Sequence, residues 1–274
     1  NAIKSKIFKT TPASIEFIQG IRSPIRLGSD VFNEGNLSTS KLDQVIETIR
    51  EYEKVFKENS ISHYEIVATS AFRDTSNSED ARRYIETAIN HPLRVISGLE
   101  EAKLIRLHPN SNTGKNKVFV DLGGGSTEFF IRNEEDTIIR SFQLGAVRNM
   151  LKRDEKEEWQ RLEEWLQSIK SKKKLIGIGG NIRSFLNSQG SKEMPLNEFI
   201  KKSERLSKLD TEEKIKKYKF SPDRADVIDQ ALQIFKFIAE QLEIQTITST
   251  KWGISDSIAI KLFHEIYSSK VTIS

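Results

Sequence analysis

Apolar and polar residues alternate through the first 27 positions of the chain and then change their period. The runs "IKSKIFKTT" and "SIEFIQGIRSPIRL" alternate, which predicts antiparallel strands. Apolar residues then recur at helical spacing in "KLDQVIETIREYEKVF", and Ser38 or Ser40 can cap the predicted helix. Strand-like and helical segments follow in turn as "YEIVATS", "SEDARRYIETAI", "LRVIS" and "GLEEAKLIRL". This order predicts an α/β protein.

The pattern starts again after the polar stretch "HPNSNTGKNK", which begins at residue 108 and has no periodicity. Three predicted strands follow, "KVFVD", "STEFFIRN" and "TIIRSFQLG", and then one helix from Gly145 to about Lys170. A buried strand "KLIGIG", a mostly helical stretch, a last strand "TITST" and a last helix "SDSIAIKLFHEIY" complete the chain. We therefore predict two domains of similar design, 1–107 and 108–274, with the last helix able to pack back on the first domain.

Composition narrows the class of protein. The 274 residues suffice for two domains with cores of their own, and they include no cysteine, which excludes disulfides, thiolate metal sites and cysteine nucleophiles. No apolar run approaches the roughly 18 residues that span a bilayer. The first residue, Asn1, leads directly into a strand-like run without a signal-peptide pattern, so the chain looks clipped. We expect a cytoplasmic protein.

Positive charge is concentrated in one part of the chain. The net charge is +4, and residues 151–220 hold 18 Lys and Arg against 12 Asp and Glu. Such a region can attract a polyanion, although a solvated helical surface is the plainer interpretation. The candidate lysines are Lys170, Lys172, Lys173, Lys174, Lys201, Lys202, Lys208, Lys214, Lys216 and Lys217.

The stretch "KVFVDLGGGSTEFFIRN" places three consecutive glycines between two predicted strands. A hairpin needs fewer, whereas a glycine run lets backbone N–H groups approach an anion closely. Asp121 precedes the glycines and Glu128 follows them, and two carboxylates with phosphate oxygens suit Mg²⁺. The alternative is a glycine-rich hairpin with two exposed acids.

Two further strand ends carry candidate chemistry. "ATSAFRD" ends a predicted strand and provides Ser70 and then Arg73, which can clamp a phosphate or pair with a surface carboxylate. "ISGLEEAKL" starts a helix with Glu100 and Glu101, which can equally be ordinary acids in a first helical turn.

A second glycine turn, "IGIGGNIR", opens a helix whose N–H groups can face an anion. It does not fit the P-loop or dinucleotide fingerprints. The four histidines share no spacing that suits a metal site.

Taken in order, these motifs closely resemble the exopolyphosphatase and guanosine pentaphosphate phosphatase family. The resemblance rests on "IRLGSDVFNEGNLS", "ATSAFRDTSN", "VISGLEEAKLI", "VFVDLGGGSTEF", "SFQLGAVR", "IGIGGNIRSF" and "RADVIDQAL", which together extend over nearly the whole chain. It implies two ribonuclease-H-like α/β domains of the actin, hexokinase and chaperone superfamily, with a cleft between them that the phosphate loops face.

The resemblance also implies roles for individual residues. Glu101 falls on the family's catalytic base, Arg73 on its substrate-positioning arginine, and Asp121 and Glu128 on its Mg²⁺ or Mn²⁺ ligands. The phosphate-binding residues that it implies are Asn1, Ser70, Gly123, Gly124, Gly125, Ser126, Gly179, Gly180 and Asn181. The chain departs from the family at Asn181, where threonine is usual, and at "GISDSIAI", which replaces Leu-Arg-Glu-Gly.

From the resemblance we expect a hydrolase that releases terminal phosphate from inorganic polyphosphate or guanosine pentaphosphate, with neither a membrane nor a nucleic acid as partner. Two alternatives stay open. One is a phosphotransferase on the same fold, and the other is a sensor that binds polyphosphate or guanosine tetraphosphate without catalysis. A homodimer is one expectation for the oligomeric state.

Overall fold

The computed structural model describes residues 2–114, 116–133 and 136–268, so the predicted phosphate ligand Asn1 lies outside the described residues. The chain divides into two compact units. The first unit combines Asn1–Ser97 with Ile254–Ser274, and the second is Gly98–Gly253. No helix in the described part of the chain has the length and apolar character needed to cross a membrane.

Strands and helices alternate through most of the chain, as the sequence predicted. In chain order the elements are β1 (Ala2–Thr11), β2 (Ser14–Pro24), α1 (Leu27–Glu34), α2 (Thr39–Glu58), β3 (Ile66–Ala68), α3 (Ser70–Asp74), α4 (Ser78–Ile89), β4 (Leu93–Val95), α5 (Gly98–Leu104), β5 (Lys117–Leu122), β6 (Thr127–Arg132), β7 (Thr137–Phe142), α6 (Ala146–Met150), α7 (Lys156–Gln167), β8 (Lys174–Ile178), α8 (Gly180–Ser188), β9 (Glu193–Pro195), α9 (Leu196–Ser207), α10 (Thr211–Tyr218), α11 (Pro222–Ala225), α12 (Ile228–Gln241), β10 (Thr246–Ser249) and α13 (Ile254–Ser268). A 3-10 turn, Ile105–Leu107, continues α5.

The division between the units falls earlier than the junction that the sequence placed at 107/108. Helix α5 and its 3-10 turn precede that junction, but α5 packs on β6 and β7 and belongs to the second unit. Helix α13 contacts β1 and belongs to the first unit. The loss of periodicity after residue 108 therefore marks a surface loop within the second unit.

The first unit contains a long antiparallel hairpin, β1–β2, and a separate pair of parallel strands, β3–β4. Ser38 caps α2, because its hydroxyl accepts a hydrogen bond from the backbone N–H of Lys41 at 3.3 Å. Two segments differ from the prediction. Residues 27–34 form a helix that the alternation did not indicate, and the residues that follow the predicted strand "YEIVATS", which ends at Ala68, form the short helix α3 around the buried Phe72.

The second unit is built on a six-stranded sheet in the order β7-β6-β5-β8-β10-β9. Strands β5, β8 and β10 are parallel, while β6, β7 and β9 run antiparallel to their neighbours. The carboxyl ends of the three parallel strands therefore lie at one edge of the sheet. The sequence did not predict the short edge strand β9. It predicted one helix after Gly145, where the structure has the two helices α6 and α7, because Lys152 between them takes a left-handed conformation at φ 55°.

One face of this sheet carries a buried apolar cluster that leads to the candidate site. Phe119 of β5 pairs in register with Phe130 of β6 and with Ile176 of β8. Together with Ile178, and with Ile105 from the turn after α5, they form the cluster. Helix α5 is thus held against this face through Ile105.

Candidate functional site

Side chains on the clustered face change from apolar to acidic at the carboxyl end of β5. Asp121 lies two positions beyond Phe119 and pairs in register with Glu128 of β6, so the two carboxylates share the face with the apolar cluster. Glu128 pairs in turn with Ser141 of β7. The result is a polar row across three neighbouring strands.

Glu101 lies close to this row. It is one helical turn before Ile105, so it projects from the side of α5 that packs on the sheet. Glu101 is buried, with 7% of its surface exposed. Its charge raises the pKa of Glu128, which places the predicted base and the two predicted metal ligands in one electrostatic environment.

Glu128 has an unfavourable environment for a negative charge. Burial raises the pKa of its carboxyl well above its usual range, and the charges of Glu101 and Asp121 raise that pKa further. Hydrogen bonds from the hydroxyls of Ser126 and Ser141 act in the opposite direction. The Ser141 hydroxyl donates to Glu128 Oε1 at 2.9 Å.

These carboxyls fit a divalent cation. Within residues 2–114, 116–133 and 136–268, no group of three or more His, Cys, Asp or Glu side chains is arranged to hold a metal without other ligands. Mg²⁺ commonly takes one or two carboxylates and completes its shell with water and phosphate oxygens. Asp121 and Glu128 provide that number, and a cation beside them would favour the charged form that burial disfavours at Glu128.

The glycine loop between β5 and β6 is held by the first turn of α6. The turn closes through a hydrogen bond from Gly123 N to Ser126 O at 3.0 Å. Gly123 O accepts from Ala146 N, and Gly124 O accepts from Val147 N at 2.8 Å. Arg148 completes the set, since its Nε donates to Gly125 O at 2.9 Å.

These bonds orient the opposite side of the loop. In a planar trans peptide the carbonyl and the following N–H point in opposite directions. Because the carbonyls of residues 123–125 face α6 and Arg148, the N–H groups of residues 124–126 point away from them. Consecutive N–H groups on one side of a loop can bind an anion.

Close packing explains why a glycine precedes α6. A Cβ atom added at Gly145, just before α6, would lie 2.5 Å from the backbone of Gly124 and Gly125. Only glycine at position 145 lets the start of α6 reach the loop carbonyls.

The second glycine turn lies next to the first. Gly179 has a φ of 105°, and a Cβ atom there would lie 3.2 Å from Leu122 O and 3.6 Å from Asp121 Oδ1. Asn181, at the start of α8, is buried, and its Oδ1 accepts a hydrogen bond from Arg224 at 2.5 Å. This contact fixes the orientation of the Asn181 amide, whose N–H groups are the part that can donate to an anion. The Arg224 guanidinium also occupies the space where a side chain at Gly180 would extend.

The predicted residues of the first unit lie on α3. Ser70 is its first residue, and Arg73 donates from Nη1 to the carbonyl of Ile96 at 2.8 Å. Arg73 is thus anchored to the chain just after β4, and it lies on a short helix after the end of β3 instead of at the strand end itself.

Three polar residues near the site had no predicted role. Ser141, Arg148 and Arg224 all lie in the quoted motif segments or beside them, but their contacts depend on strand register and helix packing. Only the register of β7 on β6, which pairs Ser141 with Glu128, could have identified Ser141.

The candidate lysines are divided between different places in the second unit. Lys172 and Lys214 are buried, and Lys214 pairs with Asp229. Lys174 begins β8 beside Lys117 of β5, and Lys173 N bonds Asn116 O, so this group lies at the amino ends of the strands. That is about 13 Å along β5 from Asp121. Lys208 and Lys216 are exposed; Lys208 lies just before α10 and Lys216 lies within it. Helix α10 packs on α11, which carries Arg224.

Residues 6–265 match the family model of the Ppx/GppA phosphatase family. The crystal structure of the Aquifex aeolicus member of the Ppx/GppA family is similar, with a TM-score of 0.76 at 22% identity over 99% of this chain and 96% of that chain. An exopolyphosphatase from Cytophaga hutchinsonii ATCC 33406 gives a TM-score of 0.85 at 18% identity, over 97% and 95% of the two chains. An exopolyphosphatase-like protein gives 0.80 at 21%, over 97% and 96%. These similarities confirm the predicted α/β, two-domain actin-like fold.

Proposed function

Because the chain belongs to the Ppx/GppA phosphatase family, we propose that it hydrolyses the terminal phosphoanhydride of inorganic polyphosphate, of guanosine pentaphosphate, or of both. The observation that carries this proposal is the convergence of Glu101, Asp121 and Glu128 beside a loop with its N–H groups turned to one side. The similarity to an exopolyphosphatase supports polyphosphate as the substrate to test first.

Glu101 acts as the general base in this proposal. A water molecule that attacks phosphorus must be oriented and must lose a proton, and a carboxylate held on a helix against the sheet can perform both tasks. The second acid of the pair, Glu100, is only half-buried and follows the exposed Leu99. The difference in burial favours Glu101 over Glu100 as the base.

The glycine loop holds the transferred group. Its N–H groups at residues 124–126 donate to phosphoryl oxygens, while the turn at Gly179 and Asn181 contributes donors from the neighbouring strand end. Because α6 and Arg148 already engage the carbonyls, these donors need little rearrangement when charge develops on the phosphoryl group.

Asp121 and Glu128 would hold Mg²⁺ or Mn²⁺ with phosphate oxygens. When bound, such an ion neutralises charge on the phosphoryl oxygens. Arg73 is proposed to position the chain of phosphates, as the family resemblance implies. The complete absence of cysteine supports a location in a reducing cytoplasm.

A phosphate-release assay on long-chain polyphosphate, with guanosine pentaphosphate in parallel, tests the proposed activity. Hydrolysis predicts free orthophosphate without any acceptor. Phosphate appearing only on an added acceptor such as ADP would identify a phosphotransferase. Binding of polyphosphate without turnover at any Mg²⁺ or Mn²⁺ concentration would identify a sensor.

Removing either predicted metal ligand is expected to raise the Mg²⁺ requirement. Asp121→Asn and Glu128→Gln each replace a carboxylate by an amide, which is a weaker ligand for a hard cation. We expect the Mg²⁺ concentration for half-maximal activity to rise about tenfold or more in each variant. An unchanged Mg²⁺ titration in both would show that the two acids are structural.

Exposed lysines near α10 are expected to add affinity for long substrates. Neutralising Lys208 and Lys216 together should raise KM for long polyphosphate several-fold and reduce its salt dependence, since each lost phosphate contact retains a counterion. The double variant Lys170→Gln with Lys173→Gln is the control. It removes the same charge from the loop between α7 and β8 and should change neither KM nor its salt dependence. Equal effects of the two double variants would leave all four lysines as general surface charge.

A further inference from the structure

Ser141 completes the polar row that contains the two predicted metal ligands. It pairs in register with Glu128, and its hydroxyl donates to Glu128 Oε1 at 2.9 Å. Glu128 exposes only 2% of its surface, so water has little access to replace this donor. Ser126 supplies a second hydroxyl to the same carboxylate from the glycine loop.

The first residue of α5 packs directly on Ser141. A Cβ atom at Gly98 would lie 2.1 Å from Ser141 Oγ and 2.7 Å from Ser141 Cβ, with Glu128 Oε1 at 3.5 Å. No side chain fits at position 98 while the Ser141 hydroxyl points at Glu128. Packing against Gly98 therefore confines the Ser141 hydroxyl on one side, and the hydrogen bond to Glu128 fixes its direction on the other side.

We infer that Ser141 is a positioning residue that fixes the orientation of the Glu128 carboxylate for binding a divalent cation. The inference rests on the proposed function, because it needs Glu128 to be a metal ligand. Ser141 acts only through Glu128, as outer partners of metal ligands do when they hold a ligand in one orientation.

The physical reason lies in the number of donors to Glu128. A buried carboxylate with two hydroxyl donors has its orientation set by both. If the β7 donor is lost, the carboxylate keeps one fewer hydroxyl donor and can turn more readily about its terminal torsion, which has a broad minimum. The oxygen presented to a cation is then no longer fixed.

The test is calorimetric titration of the intact protein with Mn²⁺ alone, without substrate. We expect Ser141→Ala to weaken Mn²⁺ binding about tenfold or more, within the range for outer partners of metal ligands. Thr137→Ala is the matched control, because it removes a hydroxyl from the exposed start of the same strand. It should bind Mn²⁺ as the wild type does.

Exchanging the small and the larger residue between positions 98 and 141 separates the role of the Ser141 hydroxyl from that of its packing. Gly98→Ala should displace the Ser141 side chain and weaken Mn²⁺ binding, and its thermal melt will show how far the collision also disturbs the fold. Gly98→Ala combined with Ser141→Gly restores the space and should recover the melting temperature but not the Mn²⁺ affinity. If the combined variant recovers both, Ser141 matters only for packing and the inference is overturned.

The remaining outcomes are also distinct. If wild type and Ser141→Ala bind Mn²⁺ equally, the positioning role is overturned while the proposed metal site stands. If the wild type binds no Mn²⁺ and no Mg²⁺, the metal site proposed at Asp121 and Glu128 fails and takes the role of Ser141 with it.

Discussion

Glu101→Gln is expected to lower turnover of polyphosphate by about two orders of magnitude or more while leaving the fold and substrate binding intact. The amide keeps the size and burial of the side chain but cannot accept the proton of the attacking water. Because the glycine loops and the metal ligands are untouched, KM should change little. Phosphate release under saturating substrate and Mg²⁺ gives kcat, and equilibrium binding of polyphosphate gives the affinity.

Glu100→Gln is the control for this change. The two acids are adjacent on α5, but Glu101 is buried against the sheet, whereas Glu100 is only half-buried. Burial raises the pKa of the Glu128 carboxyl most, and the charge of Glu101 raises it further. Glu100→Gln should therefore retain turnover within about twofold. Near wild-type turnover in Glu101→Gln would rule out this residue as the base, and an equal loss in both variants would point to a general effect on α5.

Gly145→Ala is expected to reduce turnover about 100-fold, because it moves the loop that would hold the phosphoryl group. The new methyl group would meet the backbone of Gly124 and Gly125 at 2.5 Å, and neither backbone segment can move without breaking its hydrogen bonds to α6. The N–H groups at residues 124–126 would then lose their alignment. Turnover and the melting temperature should be measured together.

Gly20→Ala is the matched control in the β1–β2 hairpin. A Cβ atom there meets its nearest neighbour at 3.6 Å, which is an ordinary contact. We expect Gly20→Ala to keep turnover and to change stability by less than about 1 kcal/mol. If Gly145→Ala also keeps turnover, the loop does not need the α6 contact for its function.

The sequence predicted the glycine hairpin and its two acids because that signal is local. Asp121, three glycines and Glu128 lie within eight positions, and a tight turn between strands brings the acids opposite each other whatever surrounds them. The approach of Glu101 could only be inferred from family resemblance. It depends on Ile105 packing on Phe119 and Phe130, which is a tertiary contact that periodicity does not contain.

Where the sequence was wrong, tertiary packing overrode a local pattern. The predicted strand does end within "ATSAFRD", at Ala68, but the residues that follow it form a helix anchored by the buried Phe72, which the sequence did not predict. The helix after Gly145 has continuous periodicity, but it breaks at Lys152. Ser141 could not be selected from alternation alone, since its importance comes from its register with Glu128.

The first unit is assembled from two pieces of chain, and this affects the order in which a newly made chain can fold. Lys6 and Asp256, which form an ion pair between β1 and the first turn of α13, are 250 positions apart. Thr10 reaches Tyr267 at 3.2 Å near the other end of the same helix. The second unit is one continuous segment, so all of its residues are made before residue 254 is added. The first unit therefore cannot be completed until its second segment has been made, and until then its hairpin lacks the helix that packs on it.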